Sequence, residues 1–116
     1  MPRAALAIVG VLALTACDQS IPTPRLGPHS NEEPVTVPYP PPPAKVEVIP
    51  SPPQELKNPV WIDGEWQWKG RRWVWQAGQW ELPVAGGYYA PPTTLRLADG
   101  TLLYYPGTWK EPAKKR

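Results

Sequence analysis

The side chains able to do chemistry are few in this 116-residue chain. There is one cysteine, Cys17, and one histidine, His29, and the histidine sits in a proline-rich stretch. No cluster of His, Cys, Asp or Glu has the spacing of metal ligands. Glu65 and Glu81 invite the thought of a paired acid and base. The strand register derived below sets them about 12 Å apart, too far even for an inverting glycosidase. The expectation is therefore a protein that is not an enzyme and has neither cofactor nor metal. What remains conspicuous is aromatic: residues 61–80, WIDGEWQWKGRRWVWQAGQW, hold six of the seven tryptophans. Such a cluster is either a core or a binding surface, because indole rings bring both large apolar area and an N–H that seeks a partner.

The chain reaches that cluster through two other kinds of sequence. Residues 1–16 have a basic start at Arg3, an apolar run from Ala4 to Leu14 and small residues at the end. The run is too short to span a bilayer, which needs roughly 20 apolar residues, and reads as a secretion signal. It closes on Leu14-Thr15-Ala16-Cys17, which resembles the lipobox of bacterial lipoproteins. That resemblance implies cleavage before Cys17 and acylation of the cysteine, with a diacylglyceryl group on sulfur and a palmitate-type chain on nitrogen. Two or more such chains hold a protein on a membrane lastingly. A lone cysteine, with no partner for a disulfide inside the chain, agrees. The implied location is the cell envelope, facing the periplasm or the cell surface. Asp18 is similar to the residue that keeps lipoproteins of enteric bacteria at the inner membrane.

Residues 17–59 form the second kind. From Asp18 to Pro59 there are 13 prolines in 42 residues, four of them consecutive at Pro40–Pro43. Proline fixes φ and donates no backbone hydrogen bond, so this stretch is expected to be a disordered, polyproline-like tether. Val35-Thr36-Val37 and Lys45–Ile49 alternate like strands, but their flanking prolines argue against pairing. Proline tracts are also ligands for aromatic grooves; the plainer reading is a spacer.

The tryptophans themselves repeat. Trp61-Ile62-Asp63-Gly64-Glu65-Trp66 and Trp75-Gln76-Ala77-Gly78-Gln79-Trp80 are both W-x-x-G-x-W, with a looser copy in Tyr104-Tyr105-Pro106-Gly107-Thr108-Trp109. This pattern resembles the bacterial WXXGXW (YXWGXW) repeat family, for which no biochemical function carries over. Asp63-Gly64, Gly70-Arg71 and Ala77-Gly78 each fit a two-residue hairpin turn. With those turns Trp61 faces Trp66, Trp66 faces Trp75, and Trp75 faces Trp80, so one row of four rings crosses four strands. Trp68, Trp73 and Leu82 form a second row. Counted outward from the turns, the tryptophans occupy non-hydrogen-bonded pair sites, where side chains approach most closely. Glu65, Gln67, Val74, Gln76, Gln79 and Glu81 fall on the opposite, wetter face.

A second hairpin, Thr94 to Tyr104 around Asp99-Gly100, is expected to cover the aromatic face, with Leu95 opposite Tyr104 and Leu97 opposite Leu102. Residues 83–92 would link the two layers. The expected fold is mainly β: a small antiparallel Trp-rich meander plus a hairpin, two-layered or barrel-like, over residues 60–110. Residues 111–116 make a basic tail.

Function narrows to two kinds of binding. A domain of this size without disulfides needs large side chains for its core, so most rings are expected to be structural. One reading is a membrane-anchored module for protein interaction or scaffolding, using strand edges and exposed aromatics. The other is a glycan or cell-wall binding module, for peptidoglycan or exopolysaccharide. There Trp61, Trp80 and Trp109 at the rim would stack on sugars, and Arg71 and Arg72 would meet anionic groups. Either way the partners are the membrane, through the lipid anchor, and an envelope protein or glycan. With a formal net charge of only +2, nucleic acid is not expected.

Overall fold

A computed structural model of the protein describes residues 20–112. The signal expected at 1–16, the lipidation expected at Cys17 and residues 113–116 of the expected basic tail lie outside them. Within them the chain is all strand and coil, with nine short strands: β1 (Val35–Val37), β2 (Val60–Ile62), β3 (Glu65–Lys69), β4 (Arg72–Gln76), β5 (Gln79–Glu81), β6 (Tyr88–Ala90), β7 (Thr93–Arg96), β8 (Leu102–Tyr105) and β9 (Thr108–Lys110). All pairings between these strands are antiparallel.

The tryptophan stretch is one long hairpin rather than a four-strand meander. Gly70 and Arg71 are its tip, and both have positive φ (60° and 63°), as a two-residue turn of the primed type requires. From there β3 pairs with β4, placing Trp68 against Trp73 and Trp66 against Trp75. Further out β2 pairs with β5 in the same register, placing Trp61 against Trp80. The expected pairs Trp61–Trp66 and Trp75–Trp80 do not form. The reason is that Asp63-Gly64 and Ala77-Gly78 have no positive φ and make no hairpin turns. They are facing breaks in two continuous strands.

Those two glycines are needed for space. A Cβ on Gly64 would collide with the Trp75 ring, and one on Gly78 with the Trp61 ring and the Ile62 carbonyl. Each repeat unit thus supplies the glycine that lets the first tryptophan of the other unit lie flat across it. The two W-x-x-G-x-W copies clasp each other antiparallel, first tryptophan to last.

The second hairpin repeats the plan. β7 pairs with β8 and, in the same register, β6 pairs with β9, with a break at Pro91-Pro92 facing Pro106-Gly107. Tyr89 faces Trp109 as Trp61 faces Trp80. A Cβ on Gly107 would strike the Tyr89 ring, as one on Gly78 would strike Trp61. Tyr89–Thr94 is therefore a further unit of the repeat, without its tryptophans or glycine. Because β6 begins at Tyr88, the link between hairpins is shorter than 83–92; it turns at Val84–Gly87, where the Gly87 N–H donates to the Val84 carbonyl at 2.9 Å.

The register of this hairpin differs by one residue from expectation. Leu95 faces Leu103 and Arg96 faces Leu102. Its loop is the three residues Ala98–Gly100: the Leu97 N–H donates to the Thr101 carbonyl (2.8 Å), and Gly100 takes φ 92°. A third loop residue in αL is the usual alternative to the two-residue turn. The slip turns Leu95 and Leu97 outward, 47% and 40% exposed, and leaves Leu102 and Tyr104 to cover the tryptophans.

The core lies where the hairpins meet. Val37, Leu102 and Tyr104 pack with Trp68 and Trp73, and the Tyr104 hydroxyl donates to the Trp66 carbonyl. Val35–Val37, flanked by prolines, does pair: as an edge strand on β8 it needs N–H donors on one side only.

Candidate functional site

Three indole pairs stand in sequence up the first hairpin. Trp68–Trp73, Trp66–Trp75 and Trp61–Trp80 have ring centroids 5.2, 5.2 and 5.4 Å apart and planes crossed at 69°, 69° and 67°. This edge-to-face geometry sets the positive rim of one ring against the negative face of the next. The same arrangement recurs at Tyr89–Trp109, at 5.5 Å and 66°. Together they make a ladder of aromatic rungs.

The ladder is occupied. The part of the proline-rich stretch that the structure describes, residues 20–59, is not free chain but lies against the body as an arm. The Trp73 indole N–H donates to the Tyr39 carbonyl (3.2 Å), Trp66 to Pro43 (3.1 Å) and Trp80 to Pro50 (2.8 Å). Lys45 places its ammonium 5.3 Å from the centroid of the Trp66 ring, and Glu47 accepts from the Gly78 N–H at 3.0 Å. Earlier in the arm, the Pro22 carbonyl accepts from the backbone N–H of Trp61 and the Arg25 carbonyl from the backbone N–H of Tyr89, each at 2.8 Å. A tether was expected because prolines cannot donate. Their carbonyls still accept, and the indoles supply the donors.

The arm is also latched to β9. Lys110 pairs with Glu32 and donates to the Ser30 carbonyl at 2.6 Å. The hydrogen bond from Lys110 holds the Glu32 carboxyl below its ordinary range. His29 donates from Nε2 to the Pro91 carbonyl at 2.6 Å and tilts its ring over Tyr105, 5.2 Å between centroids.

On the other face, as the alternation of β3 to β5 required, Glu65, Gln67, Gln76, Gln79 and Glu81 line a polar cleft of about 460 Å³. Trp109 closes it, donating to Glu81 at 3.4 Å. Glu65 is buried and fully engaged, accepting from Gln67 (3.1 Å) and from the Gly107 N–H (3.0 Å). Tyr89 and Tyr104 are pushed well above the ordinary phenol range, first by burial and then by the Glu65 charge, so both remain protonated donors. Among the described residues, no group of three or more His, Cys, Asp or Glu is placed to hold a metal.

The five residues expected to bind ligand are scattered. Trp61 is 5% exposed, its N–H on Asp63 at 2.9 Å, so it is no rim residue. Trp80 is half-buried and tied to the arm; Trp109 is half-buried at the cleft. Arg71 and Arg72 are exposed at the hairpin tip, roughly 30 Å from Trp61 at ~3.3 Å per residue along the strand. One site combining Trp61 or Trp80 with these arginines is not formed. Tyr39, Pro43, Glu47 and Pro50 were not anticipated as contact residues. Their only sign was the proline tract itself, a ligand chemistry lying beside an aromatic array.

The fold and ladder define a small antiparallel β module built from mutually clasped aromatic repeats. The repeat is the WXXGXW repeat: its family model matches residues 60–81 in two copies, and that stretch belongs to the repeat family. Neither the curated proteins nor the solved structures offer a match to the chain.

Proposed function

We propose that the protein is an envelope lipoprotein, exported by the signal at 1–16, acylated at Cys17 and held on a membrane, where it displays the β module for non-catalytic protein contacts. The observation that carries this reading is strand β7. It closes one edge of the three-stranded sheet, all four of its residues are exposed, and the outward Leu95 and Leu97 flank its end. An exposed edge with free backbone donors and acceptors is a template for a partner's strand. Four of the ladder's indoles, Trp61, Trp66, Trp73 and Trp80, already donate to partners within the chain, and the N–H of Trp75 is buried without one.

Two measurements test it. Cys17→Ser should leave the protein unprocessed and free of the membrane fraction after a high-salt wash; retention like the parent's removes the anchor. A photo-cross-linker placed at Leu95 in cells should give a discrete adduct that Thr94→Pro abolishes. An adduct indifferent to Thr94→Pro removes the edge as the contact.

The polar cleft favours a second reading, a glycan module, since its amides, carboxylates and Trp109 edge are the groups that hold sugar hydroxyls. Retention on insoluble cell wall, lost in Gln76→Ala with Gln79→Ala and unaffected by Arg71→Ala with Arg72→Ala, would support it. No retention of folded protein would remove it.

A further inference from the structure

Three ladder indoles donate to carbonyls of Tyr39, Pro43 and Pro50, and between those points the chain is extended and without regular secondary structure. Among the described residues, none from 38 to 52 makes a backbone hydrogen bond to another backbone group. Val46 and Val48 are wholly in solvent, 101% and 94% exposed, while the alternate residues Glu47 and Ile49 are half-buried, Glu47 on the Gly78 N–H. The segment is thus held by indole N–H groups, the Trp66 ring under Lys45 and the Gly78 N–H on Glu47. Aromatic grooves that recognise proline-rich ligands use the same chemistry, because an extended proline chain offers carbonyls and ring faces at little entropy cost.

The segment is also removable. On its C-terminal side it joins the body through residues 51–59, a stretch with Pro52, Pro53 and a bend at Asn58, where φ is 53°; on its N-terminal side it runs directly into β1, so it leaves together with Val35–Val37 and the arm before them. We propose that the tryptophan ladder is a receptor for proline-rich extended chain, filled within one molecule by its own residues 39–50 and able to take the same segment from a second copy. A second copy is the occupant that fits by identity: an arm exchanged whole, β1 included, makes every contact the resident arm makes, so exchange costs no interactions. The inference goes beyond the β7 reading and does not depend on it.

The experiment uses the full chain with residues 35–50 replaced by a Gly/Ser sequence of equal length, which also vacates the β1 place on β8, and a synthetic peptide of residues 34–50. Added peptide should change tryptophan fluorescence saturably in the replaced chain. It should bind at least tenfold more weakly to the parent, where the resident arm competes at an effective concentration on the order of mM. The same peptide with Pro40–Pro43 changed to alanine should bind more weakly than the original. A folded replaced chain that ignores the peptide overturns the groove. If the replaced chain does not fold, the peptide in trans should restore its near-ultraviolet circular dichroism, and failure to do so is equally fatal. For the second copy, the replaced chain is mixed with a full chain carrying Trp66→Ala and Trp80→Ala, which keeps its arm but has a damaged ladder. One-to-one co-elution is expected where neither elutes as a dimer alone. Peptide binding without that complex would overturn the second copy as occupant.

Discussion

The two hairpins share one plan and fill it differently. In the first, every rung is an indole pair and each break carries a glycine under the opposing ring. In the second, only Tyr89–Trp109 and Gly107 keep that form; the rung equivalent to Trp66–Trp75 is Thr94 against Tyr104, and Pro91-Pro92 stand where Asp63-Gly64 stood. The plan therefore survives without tryptophan at each place. What the extra indoles of the first hairpin add is contact outside the hairpin: three of them hold the arm.

The sharpest way to break the comparison is to empty a rung. Trp61 is buried and its ring lies over Gly78. Trp61→Ala should cost about 3–5 kcal/mol, enough to unfold a module this small, as read by chemical denaturation. Its counterpart Tyr89→Phe should cost far less, since the ring stays. Equal losses would show that the Tyr89 hydroxyl, and not its ring, carries the second rung.

Next come the glycines. Gly78→Ala pushes a methyl into the Trp61 ring and the Ile62 backbone, Gly107→Ala pushes one into the Tyr89 phenol and the Glu65 carboxylate, and overpacking of this kind costs about 1–3 kcal/mol. A Cβ on Gly70 meets nothing, so Gly70→Ala should cost only the αL strain, about 1 kcal/mol. If Gly70→Ala is the worst of the three in a denaturation series, the spatial account of the repeat glycine fails.

That distinction also marks where the sequence was legible. Gly70-Arg71 between alternating tryptophans could be read as a turn, and with it came Trp68–Trp73, Trp66–Trp75 and the polar face of Glu65, Gln67, Gln76, Gln79 and Glu81. Asp63-Gly64 looked like a better turn and is none, because a glycine kept for space and one kept for positive φ are the same letter. Tyr89–Thr94 could not be seen as a repeat unit, since the pairing register survives there while the side chains that signal it are gone. The docked arm was illegible for a different reason: proline-rich chain has no periodicity, and its partners lie about 30 residues further on, in Trp66, Trp73 and Trp80.

A smaller effect separates the indole's N–H from its ring. Trp80→Phe keeps an aromatic rung against Trp61 and removes the bond to the Pro50 carbonyl. A hydrogen bond of this kind is worth about 0.5–1.5 kcal/mol, and the loss should show as faster protease cleavage in residues 51–59 with little change in the melting temperature. Trp109→Phe, whose N–H points to Glu81 instead of the arm, should leave that cleavage unchanged. Identical cleavage in both variants would mean the indole bonds do not hold the arm.

The smallest expected effect is on pH, and it tests the ionic link between arm and second hairpin. Lys110 holds the Glu32 carboxyl below its ordinary value, so folding favours the ionised form. A depressed carboxylate contributes stability that is fully present above the unfolded value, roughly 4.3 for glutamate, and is lost as pH falls through the lower folded value. Docking of the arm should thus be insensitive to Glu32 from neutral pH to about 5 and weaken below about 4. The groups facing Glu32 are Lys110 and His29, whose Nδ1 stands 3.5 Å from the other carboxylate oxygen. A His29→Gln control should therefore keep the acid loss, whereas Glu32→Gln should remove it. The pair is partly exposed, so added salt should shrink it further. Denaturation midpoints of the three proteins between pH 3 and 7 decide the matter: an acid loss that persists undiminished in Glu32→Gln would show that the Lys110–Glu32 pair does not carry it.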